Sequence, residues 1–154
     1  MGIEIERKFL IDMDKWQPLD KGIEIRQGYL STDKERTVRV RTKGDRAYLT
    51  IKGVTHDIAR LELEYEIPVA DANQLLDELC HKPLIEKRRY VEKHLGHLWE
   101  IDVFFGDNEG LVVAEVELKS EDEALELPEW IAQEVSGDSR YYNSNLSRRP
   151  YNKW

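Results

Sequence analysis

Polar and apolar residues alternate along most of this 154-residue chain. Alternation with a period of two marks a strand whose two faces meet different surroundings. Strands are expected near residues 2–11, 23–31, 35–44, 46–54, 59–68, 83–94, 97–105 and 111–119. Gly44-Asp45, Gly96 and the run Gly106-Asp107-Asn108-Glu109-Gly110 separate several of them as turns. Elsewhere the spacing turns helical. Over 70–80, Ala72, Leu75, Leu76 and Leu79 share one face, with Asp71 in the first turn and Pro83 beyond the end. Ser120 and Glu123 have capping-box spacing and predict an acidic helix after the last strand. Pro128 then opens a second helical turn carrying Trp130, Ile131 and Val135, and 139–148 predicts a short helix ended by Pro150.

Eight strands joined mostly by hairpins leave exposed edges unless they close on themselves. The expected fold is mainly β (α+β). It is one domain over 1–154, a closed eight-stranded antiparallel β-barrel. The alternation also sorts the charges. Glu4, Glu6 and Lys8 share a face, as do Arg39 and Arg41, Thr50 and Lys52, Glu62 and Glu64, Lys87 and Arg89, Glu100 and Asp102, and Glu115 and Glu117. A solvated sheet face tolerates Ser, Thr, Gln and Asn. Here the polar positions are almost all ionisable and most strands carry one sign. That pattern predicts a polar-in tunnel with its apolar outer face covered by the helices at 70–80 and 121–136. Buried charges are costly unless paired, hydrated or ligated, so the arrangement signals function.

Overall composition changes the picture only through its distribution. Lys plus Arg number 23 against 31 Asp plus Glu, a formal charge of −8 that argues against a nucleic-acid partner. No apolar run approaches the roughly 18 residues of a membrane span. The first residues lack the apolar core of a secretion signal, and the single cysteine, Cys80, excludes an internal disulfide. These features point to the cytoplasm and to no membrane partner. Inside the tunnel, eight carboxylates against six cations leave −2. Two divalent cations bring the interior to +2 and favour a polyphosphate. Hard carboxylate oxygens suit Mg2+ or Mn2+. Arginine and lysine grip phosphate oxygens, and remaining carboxylates can hold or deprotonate water. By their reference values Lys8, Lys52 and Lys87 hold their protons to about pH 10, which predicts an alkaline optimum.

Glu4-Ile-Glu6-Arg-Lys8 resembles the Glu-x-Glu-x-Lys signature of the CYTH superfamily, the triphosphate tunnel metalloenzymes. Thr37-Val-Arg39-Val-Arg41, Lys52, Glu62-Leu-Glu64, Lys87-Arg-Arg89, Glu100-Ile-Asp102, Glu115-Val-Glu117 and Arg140-Tyr-Tyr-Asn-Ser-Asn-Leu146 look like its later segments in order. The resemblance implies metal ligation by Glu6, Glu115 and Glu117, with Glu4 as helper and Asp102 as a further candidate. It implies phosphate binding by Lys8, Arg39, Arg41, Lys52, Lys87 and Arg89. Glu62 and Glu64, for a second metal or for orienting water, are the catalytic candidates together with Lys8. The compact bacterial type looks most like a tripolyphosphatase acting on a small anionic triphosphate. Nucleoside or thiamine triphosphatase, class IV adenylyl cyclase and a non-catalytic polyphosphate-binding module are the alternatives. The cyclases carry a His-Phe pair before the Arg-x-Arg strand, where this chain has Gln27-Gly-Tyr29. The oligomeric state stays open, with a homodimer allowed.

Overall fold

The computed structural model describes residues 2–154. Its strands are β1 (Ile3–Ile11), β2 (Ile23–Ser31), β3 (Thr37–Lys43), β4 (Arg46–Lys52), β5 (Ala59–Ile67), β6 (Ile85–His94), β7 (His97–Phe104), β8 (Val112–Glu117) and β9 (Ile131–Glu134). The first eight form a closed antiparallel barrel in the order β5-β4-β3-β2-β6-β7-β8-β1, with β1 returning to β5. The seam is short. Only Ile3, Glu4 and Ile5 pair with β5, and β9 takes the far half of the same β1 edge through Phe9 and Ile11. Val135 N also donates to Lys8 O, which extends this closure beyond β9.

The barrel is polar inside. Each expected charged face points into the tunnel, and the opposite faces meet apolar cover. Helix α1 (Val69–Glu78) lays Ala72 and Leu76 over Val40 and Ala47, with Cys80 beside them. Around β1, β7 and β8, Phe9, Trp99, Ile101, Ala114 and Val116 pack under Trp16, Leu118 and Trp130. A third cluster lies within the tunnel end itself. Leu10, Ile85, Phe104 and Val113 continue the inward faces of β1, β6, β7 and β8, and meet Val135, Tyr141 and Leu146. The tunnel is therefore charged along its middle and plugged with hydrocarbon at the end where the C-terminal segment folds in.

Two sequence expectations fail. The acidic helix after Ser120 does not form, and the Trp130–Val135 turn is not helical. The run Glu121, Asp122, Glu123, Glu126, Glu129 holds no cation within it to offset its repulsion, Lys119 lying before the cap, and Pro128 removes a backbone donor. The capping-box glutamate is used in a turn instead: Glu123 accepts from Lys119 N at 2.5 Å and pairs with His97 Nε2 at 2.6 Å. Ile131–Glu134 becomes a strand because β5 leaves half of β1's edge unpaired. Helical cover is accordingly limited, and Ile3, Ile51, Leu61, Leu63 and Tyr65 stay exposed on the outer wall of β1, β4 and β5. The 139–148 helix is shortened to a 3-10 turn at Ser139–Tyr141 followed by α2 (Asn143–Arg148).

Candidate active site

Strand register assembles the tunnel interior. Pairing of β1 with β8 sets Glu6 opposite Glu117 and Lys8 opposite Glu115. Pairing of β7 with β8 sets Glu100 opposite Glu115, and β6 with β7 sets Arg89 opposite Asp102. Across β4 and β5, Thr50 faces Glu64 and Lys52 faces Glu62. Barrel closure brings Glu4 within reach of β4, so that Lys52 Nζ stands 3.0 Å from Glu4 Oε1 and 3.3 Å from Glu62 Oε2.

One part of the wall is cationic. Arg39 and Arg41 each point Nη2 at Glu64 Oε2, at 3.4 and 3.5 Å, and Thr50 Oγ1 donates to the same oxygen at 2.7 Å. The Nε–H of both arginines is buried without an acceptor among the described residues. Asp102 anchors two further cations. Arg89 grips it bidentately through Nε at 2.8 Å and Nη2 at 2.9 Å, and Lys87 Nζ donates to it at 2.8 Å. Burial alone would raise Asp102, but Arg89 and Lys87 outweigh it and hold the acid far below its ordinary range. The cations also crowd one another. Burial, then Arg39 and Arg89, bring Arg41 down to about 10, and burial, then Arg41 and Arg89, depress Lys43. Burial lowers Lys87 to about 8 despite Asp102. The expectation that Lys87 keeps its proton to about pH 10 is thereby corrected: desolvation exceeds the attraction of its partner. A buried group of like charges with idle donors is a site for an anion.

The remaining wall is acidic. Glu6 is raised well above its ordinary value by burial, then by Glu115 and Glu4. Burial and Glu4 raise Glu62, and burial, Glu4 and Glu100 raise the exposed Glu117. Two acids go the other way. Burial opposes ionisation of Glu115, yet Lys8 at 3.6 Å brings it to about 2, and Lys52 likewise overcomes burial to lower Glu4. Lys8 rises because Glu115 and Glu6 outweigh its own desolvation. Among the described residues no three carboxylates, histidines or cysteines surround one point closely enough to ligate a metal in this arrangement. The donor chemistry nevertheless fits a hard divalent cation, since Glu6 and Glu117 are strained by neighbouring acids and lack a salt-bridge partner among the described residues.

Of the residues named from the sequence, Glu4, Glu6, Lys8, Arg39, Lys52, Lys87, Arg89 and Glu115 line one cavity, whereas Glu64 and Glu117 are exposed, and some are tied to unexpected neighbours. Asp102 spends both oxygens on Lys87 and Arg89, and Glu64 is held by arginine and threonine. Arg60, which alternation places on the face of Glu62 and Glu64, and Tyr29 also line the cavity, and Thr37, with Thr55 and Asp57 from the β4–β5 loop, joins them without having been singled out. Ser136, Tyr142, Asn143 and Ser144 close it from the C-terminal segment. Tyr29 shares the face of Gln27 by i,i+2 spacing, a signal that was present but unsigned. The closing segment was marked only by the resemblance of Arg140–Leu146 and by no spacing of its own, because its entry into the barrel is a long-range packing event.

Comparison with known proteins agrees with this geometry. The family model described as the CYTH domain matches residues 2–151. An inorganic triphosphatase of Acetivibrio thermocellus is 53% identical over 151 residues, covering 98% of this chain and 97% of that protein. An inorganic triphosphatase of Nitrosomonas europaea is 36% identical over 148 residues, with 94% and 96% covered. The solved structure of an inorganic triphosphatase superposes with a TM-score of 0.67 at 34% identity, covering 94% of this chain and 93% of that one. With its tunnel, its ordered charged strands and a family match that spans the barrel and its plug, the chain belongs to the CYTH domain family.

Proposed function

We propose that this chain hydrolyses inorganic triphosphate to diphosphate and phosphate with the help of Mg2+ or Mn2+. The observation that carries the reading is the pair of guanidiniums of Arg39 and Arg41, whose Nε–H groups are buried without an acceptor among the described residues. Arg39, Arg41, Arg89, Lys8, Lys52 and Lys87 bind the phosphate chain, and Arg39 and Arg41 add bidentate contacts. The names of the two relatives favour inorganic triphosphate over a triphosphate ester. Glu6, Glu115 and Glu117, with Glu4, would hold the metal. When bound, a divalent ion offsets phosphate charge and makes a neighbouring water more acidic.

Of the two acids proposed to orient water, Glu62 is the better placed. Its raised proton affinity makes it the more basic of the two, and Lys52 holds its carboxylate in direction. Glu64 instead braces Arg39 and Arg41, and Asp102 braces Lys87 and Arg89. Charge neutralisation and alignment are what phosphoryl transfer to water mainly demands, and the wall supplies both.

The test is phosphate release from inorganic triphosphate, ATP and thiamine triphosphate, each with Mg2+, Mn2+ or excess chelator. Turnover of inorganic triphosphate that stops on chelation is expected. Tight binding of triphosphate without turnover would make the chain a binding module, and full activity in chelator would end the metal assignment.

A further inference from the structure

Two lysines of the tunnel, Lys8 and Lys87, are not held by the barrel alone. An ammonium has three N–H donors and no acceptor. Lys87 Nζ gives one to Asp102 Oδ2 at 2.8 Å and one to Asn143 Oδ1 at 3.2 Å. Both acceptors are fixed in space, so the direction of the third N–H is fixed too, and Lys87 lines the tunnel cavity. Asn143 belongs to the C-terminal segment, far from β6 in sequence and outside the set of charged strands.

The orientation of Asn143 follows from donor–acceptor rules. Lys87 can only donate, so the asparagine must turn its carbonyl oxygen toward it. The same oxygen accepts from Gln27 Nε2 at 3.0 Å. Gln27 is fully buried, and this choice leaves its Oε1 without a partner among the described residues. An arrangement selected only for packing would not strand a buried carbonyl to keep an asparagine aligned. The neighbouring residues treat Lys8 in parallel. Tyr141 O accepts from Lys8 Nζ at 3.2 Å, and the Tyr142 ring lies 5.6 Å from that nitrogen.

We propose that Asn143 is a positioning residue of the triphosphatase reaction, acting through Lys87 by aiming its remaining N–H at a phosphate oxygen. The proposal rests on the triphosphatase reading. The segment that plugs the barrel thereby also sets the direction of Lys87 and touches Lys8.

A double-mutant cycle tests it, with inorganic triphosphate and Mg2+ as the assay and a thermal melt on each variant. Asn143→Ala is expected to lower kcat about tenfold while KM stays within about threefold, the loss of one aligned hydrogen bond. Asn143→Asp keeps the acceptor oxygen and nearly the shape. It is expected to hold kcat within about threefold of the unmodified chain and to raise KM, because its charge repels the substrate. In a Lys87→Met background, assayed at raised enzyme concentration, Asn143→Ala is expected to change kcat less than about twofold. The same tenfold loss in both backgrounds would overturn the proposal, as would a fall in kcat for Asn143→Asp equal to that for Asn143→Ala. Should Asn143→Ala not fold, Asn143→Asp alone decides: kcat within about threefold of the unmodified chain supports the proposal, and a fall of about tenfold overturns it. Failure of the unmodified chain to hydrolyse triphosphate would overturn the functional reading itself, and this proposal with it.

Discussion

At the scale of single residues, the two charge groups of the tunnel should fail in different ways. We predict that Glu117→Gln weakens metal binding, so that raising Mg2+ restores part of the rate. Arg41→Ala removes a phosphate clamp and should cost about ten- to a hundredfold in kcat/KM, the 1.5–3 kcal/mol of a charge-assisted hydrogen bond, without metal rescue. Glu121, exposed in the turn after β8, is the control, and Glu121→Gln should change activity less than about threefold. Equal damage by Glu117→Gln and Glu121→Gln would refute the face assignment. Lys87 gives the pH prediction. Burial lowers it to about 8, so it is charged below that pH and loses its charge above it. Glu6, raised well above its ordinary value, must lose its proton to serve a metal, so activity climbs as pH rises through that value. The profile of kcat/KM should therefore be a bell whose upper limb starts near pH 8. Lys87→Arg should move that limb beyond pH 9, since arginine stays protonated there. An unmoved limb would assign it to another group.

At the scale of elements, the hairpin between β6 and β7 stores avoidable strain. His94 pairs with His97, and the two residues between them, Leu95 and Gly96, have φ of 47° and 87°. Glycine accepts positive φ without cost, while leucine does not. Leu95 is also largely exposed, so no packing compensates. Leu95→Asn suits a two-residue hairpin of this hand and is predicted to stabilise by roughly 0.5–1 kcal/mol, a rise of about 1–4 °C in Tm. A lower Tm would show that the leucine is held by contacts at the hairpin tip. The strands themselves were readable because each keeps its alternation along its whole length. The segment 121–136 was not, because its fate depends on an edge of β1 that β5 happens to leave open. Capping-box spacing is a local signal, and here like-charge repulsion and the contacts of Glu123 with Lys119 N and His97 outweighed it.

At the scale of the molecule, the acidic wall is a source of instability that a cation should relieve. Glu6, Glu62 and Glu117 are all raised, so the native state binds their protons more tightly than the unfolded chain does. Their contribution is present below the ordinary carboxylate range and is lost as pH rises through the raised values. Divalent metal should restore it, so millimolar Mg2+ is predicted to raise Tm more at pH 8 than at pH 5. Saturation at a hundred times the dissociation constant corresponds to about 2.7 kcal/mol, or roughly 5–10 °C. Equal shifts at the two pH values would argue against metal binding by these acids. Glu115 runs the opposite way. Lys8 holds it down to about 2, so its stabilisation is complete above the ordinary carboxylate range and disappears as pH falls toward that value. The primary structure by itself determined the strands and the sign of charge on each face, because period-two patterning is local and a one-residue slip would exchange the two faces. Only the tertiary structure decided which charges become partners. Asp102 meets Lys87 and Arg89, Lys52 meets Glu4 across the seam, and Asn143 enters the tunnel from the far end of the chain. Those meetings follow from barrel closure and strand stagger, which bring together residues that no spacing along the chain relates.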